Sequence, residues 1–142
     1  MDLNDLIDVA QAMVADCKGL LAADESTGTI TKRFDSIGVD STEDTRRDYR
    51  ELLFRTKGLG KYISGVILYD ETIRQTAADG SRLVDLINKE GIIPGIKVDA
   101  GAKQLAGSEN ETVTEGLDSL RDRVDEYVGL GAKFAKWRAV IK

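Results

Sequence analysis

Histidine is absent from the 142 residues. That excludes the Ser-His-Asp triad, the Cys-His dyad, histidine general bases and His-x-x-x-His zinc sites. Any acid–base chemistry falls to Asp, Glu, Lys, Tyr or Cys. Cysteine occurs once, at Cys17, so no disulfide can close within the chain; this suits a reducing compartment without establishing one. Proline also occurs once, at Pro94. No apolar run approaches the ~18 residues of a membrane span. The start, Met1-Asp2-Leu3-Asn4-Asp5, is acidic and lacks the basic region of a secretory signal. The expectation is a cytoplasmic protein with no membrane partner. A net charge of −5 argues against a broad attraction to nucleic acid. It leaves room for a small anionic ligand where a few lysines and arginines converge. Gly58-x-Gly60 lacks the third glycine of a dinucleotide fingerprint, and no Walker A, EF-hand or Cys-x-x-Cys pattern occurs.

What is present is 42% apolar and 32% charged, enough to bury a core behind an ordinary soluble surface. From Asp2 to Asp16, Leu3, Leu6, Ile7, Ala10, Met13 and Val14 recur at spacings of three and four, the stripe of an amphipathic helix. Gly19-Leu20-Leu21-Ala22-Ala23 is a short continuous apolar run, which suits a strand buried on both faces. A helix is expected over 27–37, with Ile30, Phe34 and Ile37 on one side. Ser41-Thr42-Glu43-Asp44 has capping-box spacing and opens a charged helix to about Thr56, with Tyr49, Leu52 and Leu53 inward. Residues 62–69 form the strongest strand. A helix over 81–90 stops at Gly91. A third strand runs over 92–98, with Pro94 near its start because a proline cannot donate to the ladder. Residues 100–111 read as a polar loop. A helix over 115–130, with Leu117, Leu120, Val124, Tyr127 and Val128 inward, leads to a fourth strand over 133–138. Strands alternating with helices imply βαβ units and a parallel sheet. No linker, repeat or internal boundary divides residues 1–142, so one domain is expected.

Each strand ends in polar residues: Asp24-Glu25-Ser26, Asp70-Glu71-Thr72, Lys97 with Asp99, and Lys136 with Arg138. In α/β proteins the C-terminal strand edge is where ligands bind, and helix N-termini there supply donors for anions. Strand alternation points Lys97 and Asp99 to one face, and likewise Lys136 and Arg138. Burying an ammonium is costly unless it is paired or used. Plainer readings stand beside this one. Asp24 fits a helix cap, Lys97 and Asp99 fit a structural ion pair, Lys136 and Arg138 fit surface charges, and Lys32-Arg33 fits a solvated helix face. Trp137 fits packing. Asn110-Glu111-Thr112 matches a glycosylation sequon that stays idle without secretion.

Five blocks in order carry a resemblance: Leu21-Ala22-Ala23-Asp24-Glu25-Ser26-Thr27-Gly28; Arg46-Arg47 with Tyr49-Arg50; Gly65-Val66-Ile67-Leu68-Tyr69-Asp70-Glu71-Thr72; Gly95-Ile96-Lys97-Val98-Asp99; and Phe134-Ala135-Lys136-Trp137-Arg138. Together they closely resemble the N-terminal part of class I fructose-bisphosphate aldolases, over nearly the whole chain. The resemblance implies an α/β fold, a (β/α)8 TIM barrel of which this chain supplies roughly the first four strands. It implies a lyase of glycolysis that cleaves fructose 1,6-bisphosphate to dihydroxyacetone phosphate and glyceraldehyde 3-phosphate through a lysine Schiff base, with no metal or cofactor. By family match, Asp24 assists proton transfer and carbinolamine chemistry, and Lys136 supplies positive charge and assists proton transfer. Lys97 and Arg138 match residues lining the substrate site and its distal phosphate. Glu25 and Arg33 match positions near that phosphate. Thr29 stands where many members carry serine, so a hydroxyl contact there could persist.

The chain departs from the family in length, since a typical barrel takes about 250 residues. The family's imine-forming lysine lies on the sixth strand, beyond Lys142, as do its acid–base glutamate and the loops that grip the other phosphate. The expectation is a partial sequence, inactive alone, of an enzyme whose members are commonly homotetramers. The alternative is a complete, truncated, non-catalytic module that binds phosphosugars or assembles with itself. A different Schiff-base barrel enzyme is a third reading, against which the five ordered blocks argue.

Overall fold

The computed structural model describes residues 3–141. Its first element is α1 (Leu3–Met13), followed by β1 (Gly19–Ala23), α2 (Thr27–Asp35), α3 (Glu43–Phe54) and a 3-10 turn at Leu59–Lys61. Then come β2 (Ile63–Leu68), α4 (Asp70–Arg74), α5 (Leu83–Lys89) and β3 (Ile93–Lys97). The chain continues through β4 (Gly101–Gln104), β5 (Thr112–Glu115), α6 (Leu120–Leu130) and β6 (Phe134–Lys136). The expected helix start at Asp2 lies outside the described residues.

Four strands form one parallel sheet in the order β1-β2-β3-β6. Sequence order and spatial order agree, as in a barrel wall built from successive βα units. β4 and β5 form a separate antiparallel hairpin, inserted between β3 and α6: β4 falls in the expected loop over 100–111, β5 lies just past it, and the helix expected from Glu115 starts at Leu120. The hairpin residues lack the apolar alternation of a half-buried strand because both faces are largely exposed.

Period-two alternation sorts the strands into two faces. Ala23, Val66, Leu68, Ile96 and Val98 point to one side, where Phe54, Ile73, Leu83, Val84, Ile87 and Tyr127 of the helices close the core over them. The opposite face carries Leu20, Gly65, Gly95 and Phe134. A Cβ on Gly95 would lie 2.3 Å from the Phe134 ring, and one on Gly65 would lie 2.9 Å from Leu20 and 3.1 Å from Phe134. The glycines are there because this ring lies flat across the strands.

Local chemistry sets the element ends. The capping box that opens α3 is one residue later than the sequence suggests. The Thr42 hydroxyl accepts from the Thr45 amide at 3.1 Å, and the Thr45 hydroxyl accepts from the Thr42 amide at 2.9 Å. The Ser64 hydroxyl, buried, donates to the Met13 carbonyl at 2.7 Å and fastens the end of α1 to β2. Gly131, at φ 113°, ends α6 in the left-handed region that glycine adopts without strain. Pro94 is the second residue of β3, and its carbonyl accepts from the Lys133 amide at 2.8 Å. Asp70 to Arg74, after β2, turns at once into a helix.

Several burial expectations are corrected. β1 is an edge strand, with Gly19, Leu20 and Ala22 exposed rather than buried on both faces. Leu52 faces outward at 71% exposure, while the fully buried members of α3 are Phe54 and, unexpectedly, Arg50. Leu117 precedes α6 and is exposed, as are Val128 and Ile37, and Trp137 is 38% exposed rather than packed away. Residues of the α1 stripe, Leu3, Leu6, Ile7 and Val14, are also exposed.

Candidate active site

Beyond the C-terminal ends of β1, β3 and β6 lies a pocket of about 450 Å³. Asp24 follows β1, Lys97 ends β3 and Lys136 ends β6, all on the sheet face opposite the helix-packed core. Lys97 and Lys136 are direct partners across the β3–β6 ladder. Glu25 follows Asp24, Thr29 and Arg33 come from α2, and Arg138 stands two residues beyond β6. All seven residues singled out in the sequence line this one pocket.

The polar end of β2 does not join them. Asp70, Glu71 and Thr72 fold into α4 and serve structure instead. Asp70 accepts from Arg74 and from the Tyr127 hydroxyl at 2.9 Å. Glu71 takes a bidentate grip from Arg46, with Nη2 to Oε2 at 2.6 Å.

Each carboxylate of the pocket is paired with a cation. The Lys136 ammonium donates to Asp24 Oδ2 at 2.5 Å, across the sheet from β6 to β1. The Lys97 ammonium donates to Asp99 Oδ1 at 2.5 Å and to the Asp99 carbonyl at 2.6 Å. Arg33 donates to Glu25. Four cations and three carboxylates line the cavity. Among the described residues, the Arg138 guanidinium is the cation there without a carboxylate partner. In a protein of net charge −5, this pocket has a surplus of positive charge.

Asp99 carries more than the Lys97 pair. Its Oδ1 also accepts from the Gly101 amide at 3.1 Å, and its Oδ2 accepts from the Arg138 amide at 3.2 Å. Burial opposes its ionisation, but the Lys97 hydrogen bond and the two amides outweigh burial and hold the carboxyl below the usual aspartate range. The sequence pairs Asp99 with Lys97 but gives no sign of its reach to Arg138. Ser26, part of the polar run after the first strand, also lines the pocket, as do Gly101 and Ala102, which neither composition nor alternation marks.

Behind Glu25 lies a buried ionic link. Arg50 is 0% exposed. Its Nη2 donates to the Glu25 carbonyl at 2.7 Å, and its Nη1 lies 3.6 Å from Glu71 Oε1. Burial pushes the Arg50 pKa down against the pull of Glu25 and Glu71. The β1–α2 turn is thereby pinned from α3. The plainer reading of Asp24 as a helix cap does not hold: Ser26 is the N-cap of α2, and Asp24 is taken by Lys136. The Lys97–Asp99 ion pair exists, and it forms part of the pocket wall.

Comparison with known proteins bears on this arrangement. Residues 5–142 match the family model described as fructose-bisphosphate aldolase class-I. A probable fructose-bisphosphate aldolase class 1 from Xanthomonas axonopodis pv. citri is 59% identical over 141 residues, which is 99% of this chain and 42% of the relative. Fructose-bisphosphate aldolase 1 of Toxoplasma gondii is 57% identical over 138 residues, covering 97% of this chain and 38% of that one. Among solved structures, the Plasmodium falciparum fructose-bisphosphate aldolase, in complex with TRAP and a small-molecule inhibitor, superposes with a TM-score of 0.94. It is 51% identical, with 96% of this chain and 39% of that chain covered. The chain thus spans about two fifths of the length of these relatives.

Proposed function

The chain belongs to the class I fructose-bisphosphate aldolase family, and we propose that its residues build the first half of a single barrel domain and one wall of the site that cleaves fructose 1,6-bisphosphate. The products are dihydroxyacetone phosphate and glyceraldehyde 3-phosphate. The observation that carries the proposal is the positive surplus at the strand ends, in which each carboxylate is engaged and Arg138 is left for an anion.

Cleaving a carbon–carbon bond beside a carbonyl needs an electron sink, which a protonated imine supplies. In the family the lysine that forms it lies on a later strand than any here. Lys136 is assigned a different task. Held 2.5 Å from Asp24, it keeps positive charge beside the reacting carbons and can pass a proton to or from that carboxylate. Asp24, two strands away from β3, assists proton transfer during carbinolamine formation. Lys97, Arg33 and Arg138 supply cations for the substrate and its distal phosphate. Glu25 orients Arg33, and Thr29 offers a hydroxyl to the same end. None of these tasks needs histidine.

The same proposal places the protein in the cytoplasm, where one Arabidopsis thaliana relative, 58% identical over 125 residues, is described as cytosolic. No helix among the described residues is long and apolar enough to cross a membrane. It also extends to a homotetramer for the complete enzyme.

The test is turnover of Asp24→Ala and Lys136→Ala in the complete barrel, with circular dichroism to confirm folding. Each is expected to lower kcat by about 10²- to 10⁴-fold, the usual range for a positioned proton-transfer group. Near-normal turnover in both folded variants would refute the site.

A further inference from the structure

Arg138 is the surplus cation of the pocket, yet it stands outside the sheet. The β3–β6 ladder ends at Lys97 opposite Lys136, with the Val98 amide donating to the Lys136 carbonyl at 3.1 Å as the last rung. Two residues on, nothing in the parallel sheet holds the Arg138 backbone. It is nonetheless held on both sides. Its amide donates to Asp99 Oδ2 at 3.2 Å, and its carbonyl accepts from the Thr114 hydroxyl at 2.8 Å. Thr114 belongs to β5 of the hairpin, whose own base is tied down. The Ala100 amide donates to the Glu115 carbonyl at 2.8 Å, and Arg123 of α6 donates to the carbonyls of Val98 and Gly116.

We infer that the β4–β5 hairpin is a specificity device for the phosphate end of the substrate. Thr114, with Asp99, is the positioning residue that presents Arg138 to that phosphate. This rests on the assignment of Arg138 as a phosphate-binding cation. An arginine side chain loses considerable rotamer freedom when it grips an anion. A backbone fixed at both its amide and its carbonyl removes the motion that would add to that loss. A hydroxyl far from the reacting carbons thereby acts on one end of the ligand and not on the other. A merely structural threonine would support both ends equally.

The two substrates that separate these roles are fructose 1,6-bisphosphate and fructose 1-phosphate, which lacks the phosphate farthest from the carbonyl. Thr114→Val keeps the shape and a strand-compatible residue but removes the donor. In the complete enzyme, the ratio of kcat/KM for the bisphosphate over the monophosphate is expected to fall about three- to tenfold, as the loss of one hydrogen bond would give. The change should fall mainly on KM. Thr114→Ser, which restores a hydroxyl, should return the ratio toward that of the unmodified enzyme. Thr114→Ala reads the same anchor should the valine variant not fold. An unchanged ratio overturns the inference, as does a parallel fall for both substrates, because the hydroxyl then serves only the fold. An unmodified enzyme that cleaves neither substrate overturns the proposed function and the inference with it, whereas one that cleaves both equally well overturns the inference alone. Either outcome is visible before any variant is made.

Discussion

Asp99 shows how much one carboxylate can organise. With 8% of its surface exposed, it meets the Lys97 ammonium and two backbone amides. Because its folded pKa lies below the ordinary value of 3.8, the stabilisation it supplies is complete above that value. It is lost as pH falls through the folded pKa. Asp99→Asn keeps the shape and removes the charge, and should lower unfolding stability near neutral pH by about 1.5–3 kcal/mol, the range for a hydrogen bond to a charged group. The gap between variant and wild type, followed by urea unfolding, should close once pH falls well below 3.8. A gap that is constant from neutral to acid pH would show that the charge of Asp99 does not stabilise the fold. Arg50 is the complementary case. It is a fully buried cation in a charged helix, and no period in the sequence distinguishes it from the partly exposed Arg47 three residues earlier.

At the scale of elements, the strands and the order of helices between them were legible because apolar runs and glycine stops are local signals. So were the seven pocket residues: Asp24, Glu25, Lys97, Lys136 and Arg138 follow from one rule about strand ends together with the sequence blocks, while Thr29 and Arg33, within α2, come only from the family resemblance. What was not legible depended on partners distant in sequence. The hairpin Gly101–Gln104 with Thr112–Glu115 has no buried face, so nothing in its pattern announces it. The outward turn of Leu52 and Leu117 and the inward turn of Arg50 reflect tertiary choice, not periodicity. Asp70 and Glu71 turn away into α4, where Tyr127, 57 residues from Asp70, and Arg46, 25 residues from Glu71, hold them. Gly95 is testable at this scale. Its hydrogen is the space that Phe134 occupies. Gly95→Ala should destabilise the fold by about 1–3 kcal/mol through overpacking, measured by denaturant unfolding. Adding Phe134→Leu should recover part of that loss, and strict additivity of the two changes would argue that the ring does not set the glycine requirement.

For the molecule as a whole, the sheet has its core on one side only. Among the described residues, β1 and β6 each pair along one edge, the α1 stripe is exposed, and the face bearing Leu20 and Phe134 has no helix layer over it. Unpaired edges and exposed apolar patches favour association. The 142 residues expressed alone should therefore self-associate in sedimentation at micromolar concentration. They should also neither cleave fructose 1,6-bisphosphate nor be trapped on it by borohydride. A well-behaved monomer would contradict the first expectation, and a trapped adduct would overturn the role given to Lys136. The Phe134 ring has one more consequence, for how the sequence can change. It lies across β2 and β3, one pleat repeat or about 7 Å below Lys136 along the same strand. It fills the room that a side chain at Gly65 or Gly95 would need. Positions 65, 95 and 134, on three different strands, therefore cannot drift independently: a larger residue is admitted at either glycine only if the aromatic ring is given up in the same history.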